Sequence, residues 1–244
     1  MRNQSIVYRG DVFPDGTTDV TRTMHYGTPT NLEREIYTNL LMGCINLAST
    51  KFPEGQTLNT LEVLIRAPLY SMGLDYGHGS THGVGAFLGV HEEPGYYRAN
   101  EFGMRLENVV TVIRADVSMT TDNNVTYLAF DPVTLVPYEQ KLINVSMLSG
   151  RQLQWLNDYH ARTRELVGAE MLRQNLTNTY DWLVRKTQPI YAVEVLEYWV
   201  RTDTEKIAFH FKSTMLFSFM TELKIQWCCT VVDCGAEKRG ELRG

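Results

Sequence analysis

The sequence predicts an α+β protein, in which separate runs of strands and helices form packed layers. Three observations support this prediction: an early segment typical of a β-hairpin, a following pair of amphipathic helices, and later segments rich in β-branched residues. The chain has 244 residues, of which 43% are hydrophobic. It is therefore long enough to bury a sizeable core in one or two domains.

Residues 5–24 are predicted to form the hairpin. Two short β-like segments meet at Pro14-Asp15-Gly16, where proline presets φ and glycine supplies the conformational freedom of a turn. We therefore expect the segments on either side of this turn to pair as antiparallel strands.

Two helices are expected next. Thr30 and Glu33 have the spacing of a capping box, and apolar residues follow on one helical face, so the first helix is predicted over residues 31–50. The second helix is predicted over residues 58–72 and ends at Gly73, a residue type that commonly closes helices.

The second half of the chain adds strands and further helices. The β-branched content of residues 108–113 and 125–130 favours two strands. Ser149 and Gln152 form another capping box and open a helix. A last helix is predicted over residues 170–186, ahead of Pro189.

Charge and hydropathy exclude two classes of partner. Twenty-three basic and 28 acidic residues give a net charge of -5, so no basic excess supports nucleic-acid binding. The most apolar stretch, residues 207–232, is interrupted by Lys212, Glu222 and Lys224. Since charges are costly at bilayer depth, no membrane span is expected.

The cellular compartment is predicted from two further features. The first residues contain no apolar run of the kind found in a signal peptide. The four cysteines are too few and too unevenly placed for a disulfide framework. A cytoplasmic protein is therefore expected.

Side chains suited to metal binding or acid–base chemistry are concentrated in less than half of the chain. They are Asp15, Asp19, His78, His82, His91, Glu93 and Glu107. Carboxylates and neutral imidazoles suit divalent manganese, zinc or cobalt. An ion bridged by carboxylates lowers the pKa of bound water and polarises a carbonyl, which favours hydrolysis.

Each of these residues also has a purely structural explanation. Asp15 fits a turn, and His78 and His82 fit loop or sheet positions. Glu107 lies close to Arg105 in sequence and fits a surface charge or an ion pair. Composition and spacing alone therefore leave both explanations open.

Several motifs resemble those of one known family. They are DGTTDVTRTMH at residues 15–25, YGHGSTHGVG at 76–85, VH at 90–91, EPGYY at 93–97 and FGMRLEN at 102–108. In this order they resemble the cytosolic Xaa-Pro aminopeptidases, which belong to the creatinase and methionine aminopeptidase group. The resemblance implies the pita-bread fold.

The resemblance also implies a domain organisation. The segments LVPY, QWLNDYH and TQPI, at residues 135–138, 154–160 and 187–190, look like the C-terminal domain of the same family. We therefore expect an incomplete pita-bread domain over residues 1–118, a small aminopeptidase P C-terminal domain over 119–190, and an unrelated tail over 191–244.

The resemblance assigns roles position by position. Asp19, His82, Glu93 and Glu107 match metal ligands of the family, which holds two ions, usually manganese. One or two manganese ions are therefore expected here, with zinc or cobalt as alternatives. Glu93 also matches a proton-handling glutamate, His91 a histidine that assists the substrate or tetrahedral intermediate, and His78 a further active-site histidine.

The implied reaction removes an N-terminal residue that precedes proline, from small peptides, by a hydroxide that two metal ions activate. A homodimer is compatible with this assignment. The alternative is an inactive pseudoenzyme, fragment or binding module that retains the fold.

The first departure from the family concerns a ligand. The family has an aspartate eleven positions before the one matched by Asp19, where this chain has Tyr8. A protonated phenol does not replace a bidentate carboxylate. Asp11 lies an odd number of residues further along the predicted strand, so we expect it on the opposite face.

The second departure is a missing connection. Only Glu92 separates His91 from Glu93, where the family has a long segment. Because two strand residues span about 7 Å, either Glu93 is pulled from the site or the sheet is rewired. Together with the absent upstream domains and the unrelated tail, this predicts a fragment, a splice variant or a faulty gene model.

Overall fold

The computed structural model describes most of the chain. It covers residues 4–13, 16–83, 91–117, 125–192, 195–201 and 206–212, with side chains at 18–83, 92–117 and 125–192. The chain divides into two units, Met1–Ala192 and Val193–Gly244. In the second unit, strand β10 (Val195–Arg201) pairs antiparallel with β11 (Lys206–Lys212).

The predicted hairpin is confirmed. Strands β1 (Gln4–Phe13) and β2 (Gly16–His25) pair antiparallel from Gln4 opposite His25 to Phe13 opposite Gly16. Pro14 and Asp15, which define the predicted turn and include one candidate ligand, lie outside the described residues.

Helices α1 (Asn31–Ala48) and α2 (Leu58–Tyr70) follow, as predicted. The capping box of Thr30 and Glu33 is present. Helix α2 ends two residues before the predicted boundary, and Gly73 beyond it adopts φ +70°, a left-handed conformation that glycine tolerates. The helices approach closely because Gly43 has no side chain: a Cβ there would lie 2.3 Å from the carbonyl oxygen of Ile65.

Five short strands follow, all of them ahead of the predicted β-branched segment at residues 108–113. They are β3 (Phe52–Pro53), β4 (Thr81–His82), β5 (His91–Glu92), β6 (Gly95–Arg98) and β7 (Phe102–Arg105). Strands β8 (Val110–Arg114) and β9 (Tyr127–Pro132) begin two residues later than predicted. Together with β3 they form a three-stranded sheet in the order β3-β9-β8.

One of the predicted C-terminal helices is confirmed, and the other ends where predicted but begins seven residues later. Helix α3 (Gly150–Arg173) begins at the predicted capping box of Ser149 and Gln152. The helix predicted over residues 170–186 is interrupted, because Asn175 adopts φ 58° and closes α3. A separate helix, α4 (Thr177–Lys186), continues from there.

The main core lies around α1. Its buried members include Tyr37 and Leu40 of α1, Met104 of β7, and Tyr138 and Leu156 further along the chain. Residues on both sides of position 118 therefore share one core, and the proposed division into domains at that position stays a prediction. Among the described helices, none combines the length and the apolar character that crossing a bilayer requires.

Candidate metal centre

The candidate site forms where β2 meets the segment that follows β7. Glu107 pairs with Thr21 of β2 as an isolated antiparallel bridge, and the amide of Glu107 donates to the carbonyl of Thr21 at 3.1 Å. Asp19 lies two residues before Thr21 on the same strand and is half-buried. Residues two apart on a strand share a face, so Asp19 and Thr21 lie on one face of β2.

Glu107 is fully buried, and both of its carboxylate oxygens have partners. The Thr21 hydroxyl donates to Oε2, and the Arg105 Nη2 donates to Oε1 at 2.9 Å. Of the two structural explanations left open for Glu107, the structure shows the ion pair with Arg105 and not a surface charge.

Glu93 shares the same arginine. The Arg105 Nη2 also forms an ion pair with Glu93 Oε2, and His82 Nε2 lies 3.7 Å from Glu93 Oε1. Glu93 is 9% exposed. The structure thus brings Glu93 and Glu107 to a single guanidinium, with His82 beside Glu93.

The short link between His91 and Glu93 lies between two paired segments. Glu92 pairs with Thr81 of β4 on one side and with Asn108 on the other. The amide of Glu93 donates to the carbonyl of Ser80 at 2.9 Å. Glu93 lies beside Glu107, and both carboxylates contact Arg105.

Helix α2 positions the loop that carries His78. Arg66 donates to the carbonyl oxygens of Tyr76 and His78 at 3.0 and 2.6 Å. Glu62 accepts from the Ser80 hydroxyl at 2.9 Å. The hydrogen bond from Arg66, followed by that from Ser80, outweighs burial and lowers the pKa of Glu62.

His78 joins the site through Tyr97. His78 Nε2 lies 3.1 Å from the Tyr97 hydroxyl, and Tyr97 is in turn hydrogen-bonded to Arg105. The side chain of His91 lies outside the described residues, although its backbone pairs with His82.

The electrostatics of the site centre on Arg105. Burial lowers the pKa of Arg105, but the hydrogen bond with Glu107 and the charges of Glu107 and Glu93 outweigh burial and raise it. Burial raises the pKa of Tyr97, and the neighbouring arginine opposes that shift. The guanidinium therefore stays charged between the two carboxylates.

The strand register gives the positions of Tyr8 and Asp11 relative to Asp19. Tyr8 lies opposite Thr21, and Gly10 opposite Asp19, whereas Asp11 lies opposite Thr18. Directly opposed residues share a face of an antiparallel pair, so Tyr8 and Asp19 belong to one face and Asp11 to the other.

The fit to a metal ion depends on donor type and geometry. Asp19, Glu93, Glu107 and His82 supply three carboxylates and an imidazole, which suit a divalent ion. One arginine balances the charge of one carboxylate, so the acidic group retains negative charge that a cation can neutralise. The residues thus fit one ion better than two, since Tyr8 supplies no carboxylate. Within the described ranges, no three such side chains stand close enough to hold an ion as they are placed.

A second polar network beside the site was not anticipated from the sequence. Buried Arg22 donates to the carbonyl of Glu107 at 2.8 Å, to Asn108 Oδ1 at 2.6 Å and to the Tyr159 hydroxyl at 2.9 Å. Its guanidinium also lies 4.4 Å from the ring centre of Tyr138. The network fixes the backbone of Glu107, and only the position of Arg22 inside a recognised motif could have signalled it.

Comparison with known proteins gives consistent matches. Residues 9–118 match metallopeptidase family M24, and residues 126–190 match the C-terminal region of peptidase M24. The chain is 44% identical over 203 residues to Xaa-Pro aminopeptidase 2 of Sus scrofa, a match that covers 75% of this chain and 30% of that protein. The human Xaa-Pro aminopeptidase 2 is 41% identical over 203 residues, with the same shares.

A solved structure is also similar. X-prolyl aminopeptidase from Caenorhabditis elegans, described as a cytosolic enzyme with a di-nuclear active site, matches with a TM-score of 0.72 and 34% identity. The match covers 77% of this chain and 33% of that one. The chain therefore spans about a third of the length of the relatives that it matches.

Proposed function

The chain belongs to metallopeptidase family M24 and has part of its α+β pita-bread fold, and we propose that it carries the metal-binding part of an Xaa-Pro aminopeptidase. The proposed reaction releases an N-terminal residue that precedes proline in a small peptide. The observation that supports this most is the meeting of Glu93 and Glu107 at Arg105, beside His82. Three of these four residues stand at positions that match metal ligands of the family.

Asp19, His82, Glu93 and Glu107 would hold the ion. Manganese is the first choice, and zinc or cobalt also suit three carboxylates and an imidazole. When bound, such an ion lowers the pKa of a coordinated water and polarises the carbonyl of the scissile bond. Because Tyr8 brings no carboxylate to this face of the hairpin, we propose one ion for this chain.

The remaining steps are assigned to side chains of this chain. Glu93 accepts a proton from the attacking water and returns it to the leaving proline nitrogen, the role of a general base and then a general acid. His78 contacts Tyr97, which is hydrogen-bonded to Arg105 beside Glu93, and we assign both to orienting the peptide. His91 is assigned to the tetrahedral intermediate.

Partners and compartment follow from the same assignment. The partners are small peptides with proline at the second position. A cytoplasmic location and a homodimer complete the proposal, with the cytosolic C. elegans enzyme as the supporting relative for the compartment.

The test is peptide hydrolysis by the purified chain with added Mn²⁺. A tripeptide with proline at position two should lose its first residue, whereas a matched tripeptide with alanine there should not. Glu107→Gln should reduce the rate by about a hundredfold or more. Glu101→Gln, on the exposed turn between β6 and β7, should leave the rate unchanged. Equal rates for wild type and Glu107→Gln would identify a contaminating peptidase.

A second candidate is a non-catalytic member of the family that binds peptides without cleaving them. The observation in its favour is that Arg105 forms ion pairs with both Glu93 and Glu107. This candidate predicts binding of the proline tripeptide with no release of its first residue at any Mn²⁺ concentration.

A further inference from the structure

A single guanidinium spans the two glutamates of the candidate site. The Arg105 Nη2 contacts Glu93 Oε2 and lies 2.9 Å from Glu107 Oε1. The Glu107 side chain is 0% exposed and the Glu93 side chain 11%, against 24% for Arg105. Charge-assisted hydrogen bonds are strong in such a water-poor setting.

The carboxylate oxygens that face an incoming ion already have donors. Glu107 accepts from the Thr21 hydroxyl at one oxygen and from Arg105 at the other. A cation that binds Glu107 must therefore displace at least one of these two donors. The Thr21 hydroxyl lies on a paired strand, whereas Arg105 extends a flexible side chain, so Arg105 is the donor that can leave.

The guanidinium of Arg105 also has one hydrogen-bond donor without an acceptor among the described residues. Its Nε–H is buried and has no hydrogen-bond acceptor among the described residues. A buried donor without an acceptor carries a free-energy cost. This cost reduces the net free energy gained when the guanidinium pairs with the two glutamates. Displacement by a doubly charged ion is therefore feasible.

We propose that Arg105 is an internal cation that competes with a divalent metal ion for Glu93 and Glu107, so that ion binding requires the guanidinium to leave both carboxylates. The inference rests on the ligand set proposed above. It makes the metal-free state a stable, paired state of the site and makes metal occupancy weak and dependent on concentration.

The test measures Mn²⁺ affinity by electron paramagnetic resonance of the free ion, which needs no peptidase activity. Arg105→Met and Arg105→Gln remove the charge, whereas Arg105→Lys keeps it. The control is Arg98→Met, which removes an exposed arginine paired with Glu101 on the same hairpin. Circular dichroism with chelator present confirms that each variant is folded.

The expected result is at least tenfold tighter Mn²⁺ binding by Arg105→Met or Arg105→Gln. Arg105→Lys and Arg98→Met should stay within about threefold of wild type. If wild type binds Mn²⁺ and both charge-free variants bind it no more tightly than wild type, the proposed competition is overturned. The proposed ligand set is then still supported. Absence of binding in every variant would overturn both the competition and the ligand set.

A measurement on wild type alone covers the case in which the charge-free variants do not fold. At a fixed Mn²⁺ concentration of about 1 mM, the thermal midpoint of wild type should rise by no more than about 2 °C, because breaking the arginine pair keeps the affinity weak. A rise of more than about 10 °C would contradict the competition.

Discussion

Thr21 and Glu107 are joined twice, once through their backbones and once through their side chains. The Glu107 amide donates to the Thr21 carbonyl at 3.1 Å, and the Thr21 hydroxyl donates to the Glu107 carboxylate. This double connection attaches a buried carboxylate to β2, the strand that also carries Asp19. The hairpin therefore fixes the distance between two of the proposed ligands.

The first prediction concerns the hydrogen bond between the Thr21 hydroxyl and the Glu107 carboxylate. Thr21→Val keeps the shape and the backbone pairing but leaves a buried carboxylate oxygen without its donor, so the free energy of unfolding should fall by about 2 kcal/mol. Denaturant unfolding checks this effect, and exposed Thr18→Val on the same strand is the control. No difference between the two variants would contradict the connection.

The second prediction concerns the buried arginine beside the site. Arg22→Met removes donors to the carbonyl of Glu107, to Asn108 and to the Tyr159 hydroxyl. Several buried acceptors then lack partners, so the free energy of unfolding should fall by about 3 kcal/mol or more. Exposed Arg151→Met should change it by less than about 0.5 kcal/mol. A loss below about 1 kcal/mol in Arg22→Met would show that the network contributes little.

The third prediction tests the contact of α1 with α2. In Gly43→Ala the new Cβ would meet the carbonyl oxygen of Ile65 at 2.3 Å, so the helices must separate, at a cost of about 1–3 kcal/mol. Gly150→Ala, at the start of α3, has open space around its Cβ and should be neutral or slightly stabilising. Thermal unfolding of both variants distinguishes overpacking from a general effect of replacing glycine.

The fourth prediction is a loss of stability in acid through His160. Burial, then the charges of Arg22 and Arg164, lower the pKa of His160 to about 4. Its Nε2 accepts a hydrogen bond from the Tyr138 amide at 3.2 Å, which protonation would break. An unfolded histidine has a pKa of about 6.5, so between these two values only the unfolded chain is protonated.

Stability from His160 is therefore complete above about pH 6.5 and is lost as the pH falls toward about 4, a change of about 3 kcal/mol. Denaturant unfolding of wild type and His160→Gln at several pH values checks this, because glutamine keeps an acceptor but does not titrate. The wild type should lose more stability than the variant across this range. Parallel pH curves would contradict the prediction.

Local signals in the sequence predicted much of the fold. The hairpin and both capping boxes, at Thr30 and Ser149, depend on residues a few positions apart and are confirmed. For the helix predicted over residues 170–186, the end is confirmed, but the start is wrong because one residue, Asn175, adopts a left-handed conformation. Asparagine is tolerant of that conformation without requiring it, so the sequence alone did not mark the break.

The site was predicted less completely. The pair of Glu107 with Arg105 joins neighbours in sequence and was anticipated, whereas the shared contact of Arg105 with Glu93 requires the fold of the β6–β7 hairpin. The hydrogen bonds of Arg22 connect segments more than 80 residues apart. Such long-range polar contacts leave no periodic signal in a single sequence.

The most direct test of the proposed metal site is the number of Mn²⁺ ions per purified chain, measured by elemental analysis after equilibrium dialysis against saturating Mn²⁺. The site of Asp19, His82, Glu93 and Glu107 predicts one ion per chain, and Glu107→Gln should lose it. No bound ion in wild type, or an ion that Glu107→Gln retains, would contradict the assignment.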